Sequence, residues 1–500
     1  MKDQQHSIRK QNLRVNAVTG DGFALKRRVE TLMDEIPVKL NALFNELVDE
    51  QEWLQLDQLN ISIEGINEQH LEKQLTQRIV QEVKEKIIQQ KQEALTGSFR
   101  SDTQLKISAS FQKNINAFYY FLENGMLPWW FEFKPHTEWE KEIRMAFEKQ
   151  EQVTIKGNES ASYSPTRLIM LLQQSAARHR LLEQFSADVF AEVLKQIFNG
   201  TSSVFYNSLI ATLQTLNKLK ETASPEISLN KTQLKKIKTI VLEQCISSQF
   251  SESAATALAL MILNEIEKTE KIQLKAELMK TELFVQYYKP DLTSDLSALT
   301  KKQKALEDEQ TETMEKREGK DVAAIQKKTL AQQLTISEGA LVTNAGVVLL
   351  WPFLPELFKR CGLLEDKVLI NPAKAIAMIH FLAHGNCDYK EYDVLLNKVL
   401  CNWDENKDIE LDDSFSEAEI TEMEGLLDAA ISHWTALKGT TAAGLREGFL
   451  CRQGKLMLKQ DDWFLQVEKQ THDILLQQLP WSIGMVKLAW MEKMLRTEWV

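Results

Sequence analysis

The chain has 500 residues and a formal net charge of −11, with 43% apolar and 26% charged side chains. That length allows two to four domains with sizeable cores, and the composition is that of an ordinary globular protein. The acidic balance argues against general nucleic-acid binding, which wants a basic surface, and is compatible with docking on basic protein surfaces.

Residues 7–16, SIRKQNLRVN, alternate weakly and are expected to form a strand. Asp21 and Gly22 open a helix through FALKRRVETLM, and Pro37 suits the first turn of a next helix, with Leu40, Leu43, Phe44 and Leu47 on one face. LDQLNISI at 56–63 has the alternation of a half-buried strand, closed by Gly65. Leu71, Leu75, Ile79, Val83 and Ile87 are four apart, so a helix is expected from about Glu68. QLKIS at 104–108 reads as one more short strand. Residues 1–103 therefore read as a small α/β module.

From Phe111 the pattern is helical, interrupted by LPWW and by the polar stretch 151–164. Ser164-Pro165-Thr166 opens a helix carrying Leu168, Leu171 and Leu172, and further amphipathic helices run through AEVLKQIF, NSLIATLQTL, LKKIKTIVLEQCI and TALALMILNEIE. Residues 104–290 form the expected helical domain. Residues 291–335, with the mixed-charge run KKQKALEDEQTETMEKREGKDVAAIQKK, have almost no large apolar side chains and read as a charged linker or exposed helix.

Residues 336–500 form the last domain, which holds seven of the eleven tryptophans. Helical patterns occupy AKAIAMIHFLAH, KEYDVLLNKVL, EAEITEMEGLLDAAISHWTAL, GLREGFL and THDILLQQL. RQGKLML and LKQDDWFLQVE are expected to pair as a hairpin around Gln460 and Asp461. The fold class is thus mainly α and multidomain, with a small N-terminal α/β module and a Trp-rich helical C-terminal domain.

There are five cysteines, most of them in apolar helical contexts, and they read as buried reduced thiols. The polar N-terminus carries no secretory signal, and the longest apolar runs fall short of the roughly 20 residues that span a bilayer. A cytoplasmic location with no membrane span is expected. No Walker loop or GxGxxG occurs. His380 and His384 are four apart on a helix, with Cys387 one turn on, a spacing that suits zinc. HExxH and CxxC are missing, so structural histidines are the favoured reading and no metal or cofactor is expected. Cys401 with His433 has no nucleophile elbow to support it, and the acidic runs at Glu50, Glu52 and 307–309 read as solvated faces.

Aromatic and apolar side chains concentrate in three Pro–Trp segments: GMLPWW ending at Trp130, LVTNAGVVLLWPFLPELFKRCGLL at 341–364, and QLPWSIGMVKLAWM ending at Met491. Such density implies burial or docking. Asn344, Ala345 and Gly346 form a small-residue turn that permits close backbone approach. Trp129, Trp130, Trp351, Phe353, Trp481 and Trp490 are the candidate apolar anchors for a partner, weighed against a place in the core.

Several of these blocks resemble the tape-measure family of contractile injection systems, the phage-tail-like particles of the antifeeding-prophage type. HSIRKQNLRV with LNISIEGI is similar to the family's paired N-terminal segments, and FLENGMLPWW at 121–130 to its internal signature. The longest match begins at 341–364 and continues through IHFLAHG, EYDVLLNKVLCNW, HWTALKGTTAAGLREGFLCRQGKL, VEKQTHDILLQQLPWSI and VKLAWM. The resemblance implies a non-enzymatic assembly component that helps set inner tube and sheath length. Its implied partners are inner tube, baseplate or tube-terminator proteins. The other readings of the residues are an assembly adaptor or effector-loading chaperone of the same particle, or a metal-dependent hydrolase using His380, His384 and Cys387.

Overall fold

In the computed structural model the described residues are 6, 8, 14–16, 21–49, 52–56, 58–67, 70–96, 105–155, 165–198, 203–220, 228–247, 252–288, 339–407 and 409–499. The protein is mainly α. Chain contacts divide it into two units, Met1–Asn116 with Lys134–Asn158, and Ala117–Phe133 with Glu159–Val500. The charged linker expected at 291–335 lies outside the described residues, as does most of the strand expected at 7–16.

The first unit is built on two long helices, α1 (Gly22–Leu47) and α2 (Leu71–Thr96), which pack on each other. Asp21 caps α1 by accepting from the backbone N–H groups of Phe23 and Ala24, each at 3.0 Å. The helix does not break at Pro37, which lies inside it. Proline only removes one N–H, whereas breaking there would split the continuous buried stripe of Leu25, Leu32, Ile36, Leu40 and Leu43. The stripe expected on α2 is buried at all five positions.

The strand expected at 56–63 is displaced. The ladder is instead β1 (Glu52–Leu56) against β2 (Leu105–Ala109), antiparallel, with Trp53 opposite Ser108. Leu59, Ile61 and Ile63 do turn alternately onto the α1–α2 core, but their backbone pairs with no strand among the described residues. Alternation reports which face is buried, not whether a ladder forms. Helix α3 (Ser110–Asn124) runs across the unit boundary, and α4 (His136–Ile155) belongs to the first unit, burying Trp139, Ile143 and Phe147.

In the second unit a helical layer comprises α5 (Pro165–Leu172), α6 (Ser175–Gln184), α7 (Ala187–Ile197), α8 (Ser203–Lys220), α9 (Lys231–Ser247), α10 (Glu252–Glu267), α11 (Ile272–Met279) and α12 (Glu282–Tyr287). Their apolar stripes meet, with α9 on α10 and α8 on α12. Ser186 caps α7 through the Val189 amide, and the burial of Val189, Phe190, Val193 and Leu194 follows the helical period.

The C-terminal part adds α13 (Leu354–Arg360), α14 (Pro372–His384), α15 (Leu395–Leu400), α16 (Glu417–His433) and the short α17 (Ala442–Leu445). Asn371 and Gly385 bracket α14, the first as a side-chain cap on Lys374 N–H, the second in the left-handed conformation at φ 72°. Ser416 and Glu419 form a capping box on α16.

This region is also where the structure departs most from the helical reading. It carries most of a six-stranded sheet in the order β3 (Leu127–Pro128), β4 (Ala340–Val342), β7 (Gly454–Lys459), β8 (Asp462–Val467), β10 (Leu495–Trp499), β9 (Met485–Val486). A separate two-stranded ladder joins β5 (Leu364–Glu365) to β6 (Val368–Leu369). The expected hairpin is β7–β8: Gln460 and Asp461 have φ of 49° and 67°, as a type I′ turn requires. THDILLQQL winds as a 3-10 helix (Thr471–Gln478) rather than an α-helix, and GLREGFL divides between α17 and a π turn (Arg446–Leu450).

The small residues at 344–346 have a specific use. Ala345 N–H donates to the Arg452 carbonyl at 2.8 Å, and a Cβ on Gly346 would collide with the Phe449 carbonyl oxygen. A Gly346→Ala chain is expected to lose about 1–3 kcal/mol, because backbone rather than a flexible side chain must move. Urea unfolding followed by tryptophan fluorescence checks this; an unchanged midpoint would contradict the close approach.

Candidate functional site

Sheet pairing brings the sequence's apolar blocks together. Leu127 and Pro128 of the GMLPWW segment pair with Leu341 and Ala340, and Ala340 pairs with Leu456. The 3-10 helix Ala345–Leu350 that follows is buried at all six positions. Phe358, Leu382, Leu396, Leu427 and Leu465 complete the same core.

The six candidate anchors fall into three places. Trp351, Phe353 and Trp481 form one cluster. Trp351 Nε1 donates to the Ser482 carbonyl and Trp481 Nε1 donates to the Leu349 carbonyl, both at 2.9 Å. Phe353 meets Trp481 edge-on at 5.1 Å between centroids. Two indoles thus clasp two backbone segments reciprocally, each ring spending its one polar group on the other's strand of chain. Trp490 lies apart, 8% exposed, with Nε1 donating to the Leu400 carbonyl at 2.8 Å and its ring against Phe358. Trp129 and Trp130 are half-buried, and the Lys455 ammonium sits 4.0 Å from the centre of the Trp129 ring.

His380 and His384 stack at 4.4 Å, but Cys387 turns away from them, its Sγ donating to the Asp413 carbonyl. The neighbour of His384 is instead Cys451, with Sγ 3.6 Å from Nδ1. No group of three His, Cys, Asp or Glu side chains able to hold a metal occurs among the described residues. His380 Nε2 is 3.1 Å from the Asp388 carbonyl, and burial together with the neighbouring His384 pushes its pKa down to about 4. Burial lowers the His384 pKa as well. Cys401 is buried, which raises its pKa, and His433 packs against Phe353. Neither geometry prepares a thiolate.

Residues that sequence reasoning missed are buried charges. Arg180 on α6 makes a fork with Glu391, at 2.8 Å from Nε and 3.1 Å from Nη2, and its Nη1 donates to the Leu122 and Glu123 carbonyls. Lys398 is 3.5 Å from the same carboxylate, and the side chains of all three are at most 3% exposed. Gly125, at φ 72°, ends α3 against this pair, where any Cβ would collide with the Glu391 carboxylate. Arg452 makes a second buried pair with Asp473. Arg180 and Glu391 are 211 residues apart, so nothing local announces their pairing. The one signal is an arginine on the otherwise buried face of Ala177 and Leu181.

The fold and these contacts define a class: a mainly α scaffold whose aromatic and charged constellations hold chain segments together. The particular family follows from comparison. The chain belongs to the contractile injection system tape measure protein family, whose model matches residues 5–499. The family is a structural one rather than an enzyme family. No curated protein and no solved structure matches the chain. No helix among the described residues is long and apolar enough to cross a membrane.

Proposed function

We propose that this protein acts during assembly of the inner tube and sheath of a contractile injection particle, helps set their length, and works in the cytoplasm at the assembling particle. The observation that carries the reading is the family match over residues 5–499. Its partners would be inner tube, baseplate or tube-terminator proteins. The candidate anchors suit that role because five of the six, all but Trp490, keep part of their surface open. A ruler works by occupying the growing tube until a terminator binds, so residue number converts to length. The charged run within 291–328 has the composition for such a segment. As a helix its roughly 40 residues would span only about 60 Å. The extensive cores of both units favour a second reading, an adaptor that organises tube assembly without being stretched.

Particle length separates the two. Deleting about 20 residues within 291–328 should shorten the tube by about 30 Å if they are a helical ruler, and duplicating them should lengthen it equally, as electron microscopy would measure. Normal particles of unchanged length would remove this segment as the ruler and leave the adaptor.

A further inference from the structure

We propose that residues 390–392 are a latch: they hold α3 and the helical layer α5–α12 on the C-terminal core, and on their withdrawal these helices swing away together, still folded, about Gly125. The device belongs to the fold and stands whichever function the protein serves.

The latch is one turn of chain with two sides. Glu391–Val394 winds as a 3-10 helix directly after Lys390. Its rear is fastened to the core: Val394 is fully buried there, and the Asp393 carboxylate accepts from Thr343 Oγ1 at 3.2 Å. Its front meets the helices through three consecutive residues. Lys390 Nζ donates to the Gln184 carbonyl at 2.9 Å, the Glu391 carboxylate takes the Arg180 fork, and the Tyr392 ring lies edge-on to Phe121 of α3 at 5.6 Å between centroids. The Glu391 N–H also donates to Gln184 Oε1 at 3.4 Å, and Arg180 Nη2 to the Asn406 carbonyl at 3.4 Å. Phe118 and Phe121 in turn pack on Phe185, the residue that follows α6, so α3 and the layer form one body.

Two features make this contact separable. The apolar core of the C-terminal part takes Tyr120 from α3 and no side chain from α5–α12 among the described residues, so parting the two does not divide a shared core. Polar faces return to water at less cost than apolar faces of the same size. Parting also leaves each charge with a partner. Arg180 keeps the Leu122 and Glu123 carbonyls of α3, which move with it. Glu391 keeps Lys398, which stays in the core on the Lys407 carbonyl. The costly event, a buried charge left alone, is avoided on both sides. The pivot lies at the same point. Gly125, left-handed at φ 72°, separates the end of α3 from Met126, buried in the C-terminal core, and from Leu127, paired with Leu341. Glycine absorbs a change of φ and ψ with the least strain. An assembly partner that displaced the latch would therefore move these helices without unfolding them.

Hydrogen exchange on the full-length protein tests the latch, and X-ray scattering tests the swing. In Tyr392→Ala and Glu391→Ala chains the amides of residues 390–392 should exchange at least about 100-fold faster, because their cover leaves with the helices. The radius of gyration should rise. Amides of α9 and α14, inside the two bodies, should keep their wild-type rates. Three results would each overturn the proposal. Faster exchange at 390–392 with an unchanged radius would mean that the turn only frays. Equal loss of protection in α9 or α14 would mean unfolding rather than release. No change in exchange or radius would mean that residues 390–392 hold nothing. Should neither variant fold, the wild-type chain in sub-denaturing urea carries the test. Residues 390–392 should then exchange through an opening that precedes those of α9 and α14, and one opening common to all three would equally overturn the latch.

Discussion

Replacing Glu391 by alanine should cost about 3–5 kcal/mol of stability, the largest effect expected of a single substitution here. The carboxylate serves Arg180 and Lys398 at once, and the side chains of all three are at most 3% exposed. Its removal takes the carboxylate from two buried cations, which keep backbone carbonyls as acceptors but lose their counter-charge where water cannot replace it. Arg180→Met leaves Glu391 and Lys398 still paired with each other, and should cost less. Combining Arg180→Met with Glu391→Leu should cost less than the sum of the two, because the arginine that loses its carboxylate in the Glu391→Leu chain is then absent and only Lys398 is left without it. Urea unfolding of the four chains measures this. Strict additivity would show that the fork contributes nothing as a pair. The consequence reaches the architecture, because Arg180 stands on α6 while Glu391 and Lys398 belong to the C-terminal core. The fork and the Lys390 bond to the Gln184 carbonyl at 2.9 Å tie that helical layer to the core by polar groups.

Acid should loosen the same core through α14. The His380 pKa is lowered by burial, then by His384, to about 4 from an ordinary 6.5. The unfolded chain therefore takes up a proton that the folded chain refuses. Stability from this group is complete above pH 6.5 and is lost as the pH falls from there to about 4. The loss over that interval is about 3 kcal/mol, from about 1.4 kcal/mol for each pKa unit. Carboxylates also contribute to acid unfolding, so the reading is a difference. Against the wild type, His380→Gln should remove most of the slope between pH 6.5 and 4 in urea midpoints, and His384→Gln should reduce it by removing the neighbouring ring. Parallel pH curves for wild type and His380→Gln would show that the imidazole is not held neutral by its site.

The uneven success of tryptophan as a signal has a physical basis. Pro–Trp segments marked correctly where the chain concentrates apolar surface, since Trp351, Trp481 and Trp490 all pack on the C-terminal core. They did not show that each indole N–H would bind a backbone carbonyl far along the chain. Trp351 reaches Ser482 and Trp490 reaches Leu400, 131 and 90 residues away. Most buried indoles take an acceptor, and which one each finds is a property of the packing. The metal spacing failed similarly. His380 and His384 do share a helix face, as four-residue spacing requires, but Cys387 lies beyond Gly385, where the left-handed turn ends the helix and redirects the chain.

What the sequence determined by itself is whatever repeats locally. The stripe of Leu71, Leu75, Ile79, Val83 and Ile87 made α2, Ser416 with Glu419 started α16, and the two-residue turn at Gln460 and Asp461 closed the β7–β8 hairpin. The ordered apolar blocks also carried the family, because each is a long and specific string rather than a pattern. Only the tertiary structure decided that β3 and β4 would join that hairpin in one sheet, that Arg180 would meet Glu391, and that β10 would run parallel to β8 between it and β9. Those outcomes turn on which distant backbone groups compete for the same partner. Ser482 is the clearest case: its carbonyl accepts from the Trp351 indole 131 residues away, and no shorter stretch of chain contains that choice.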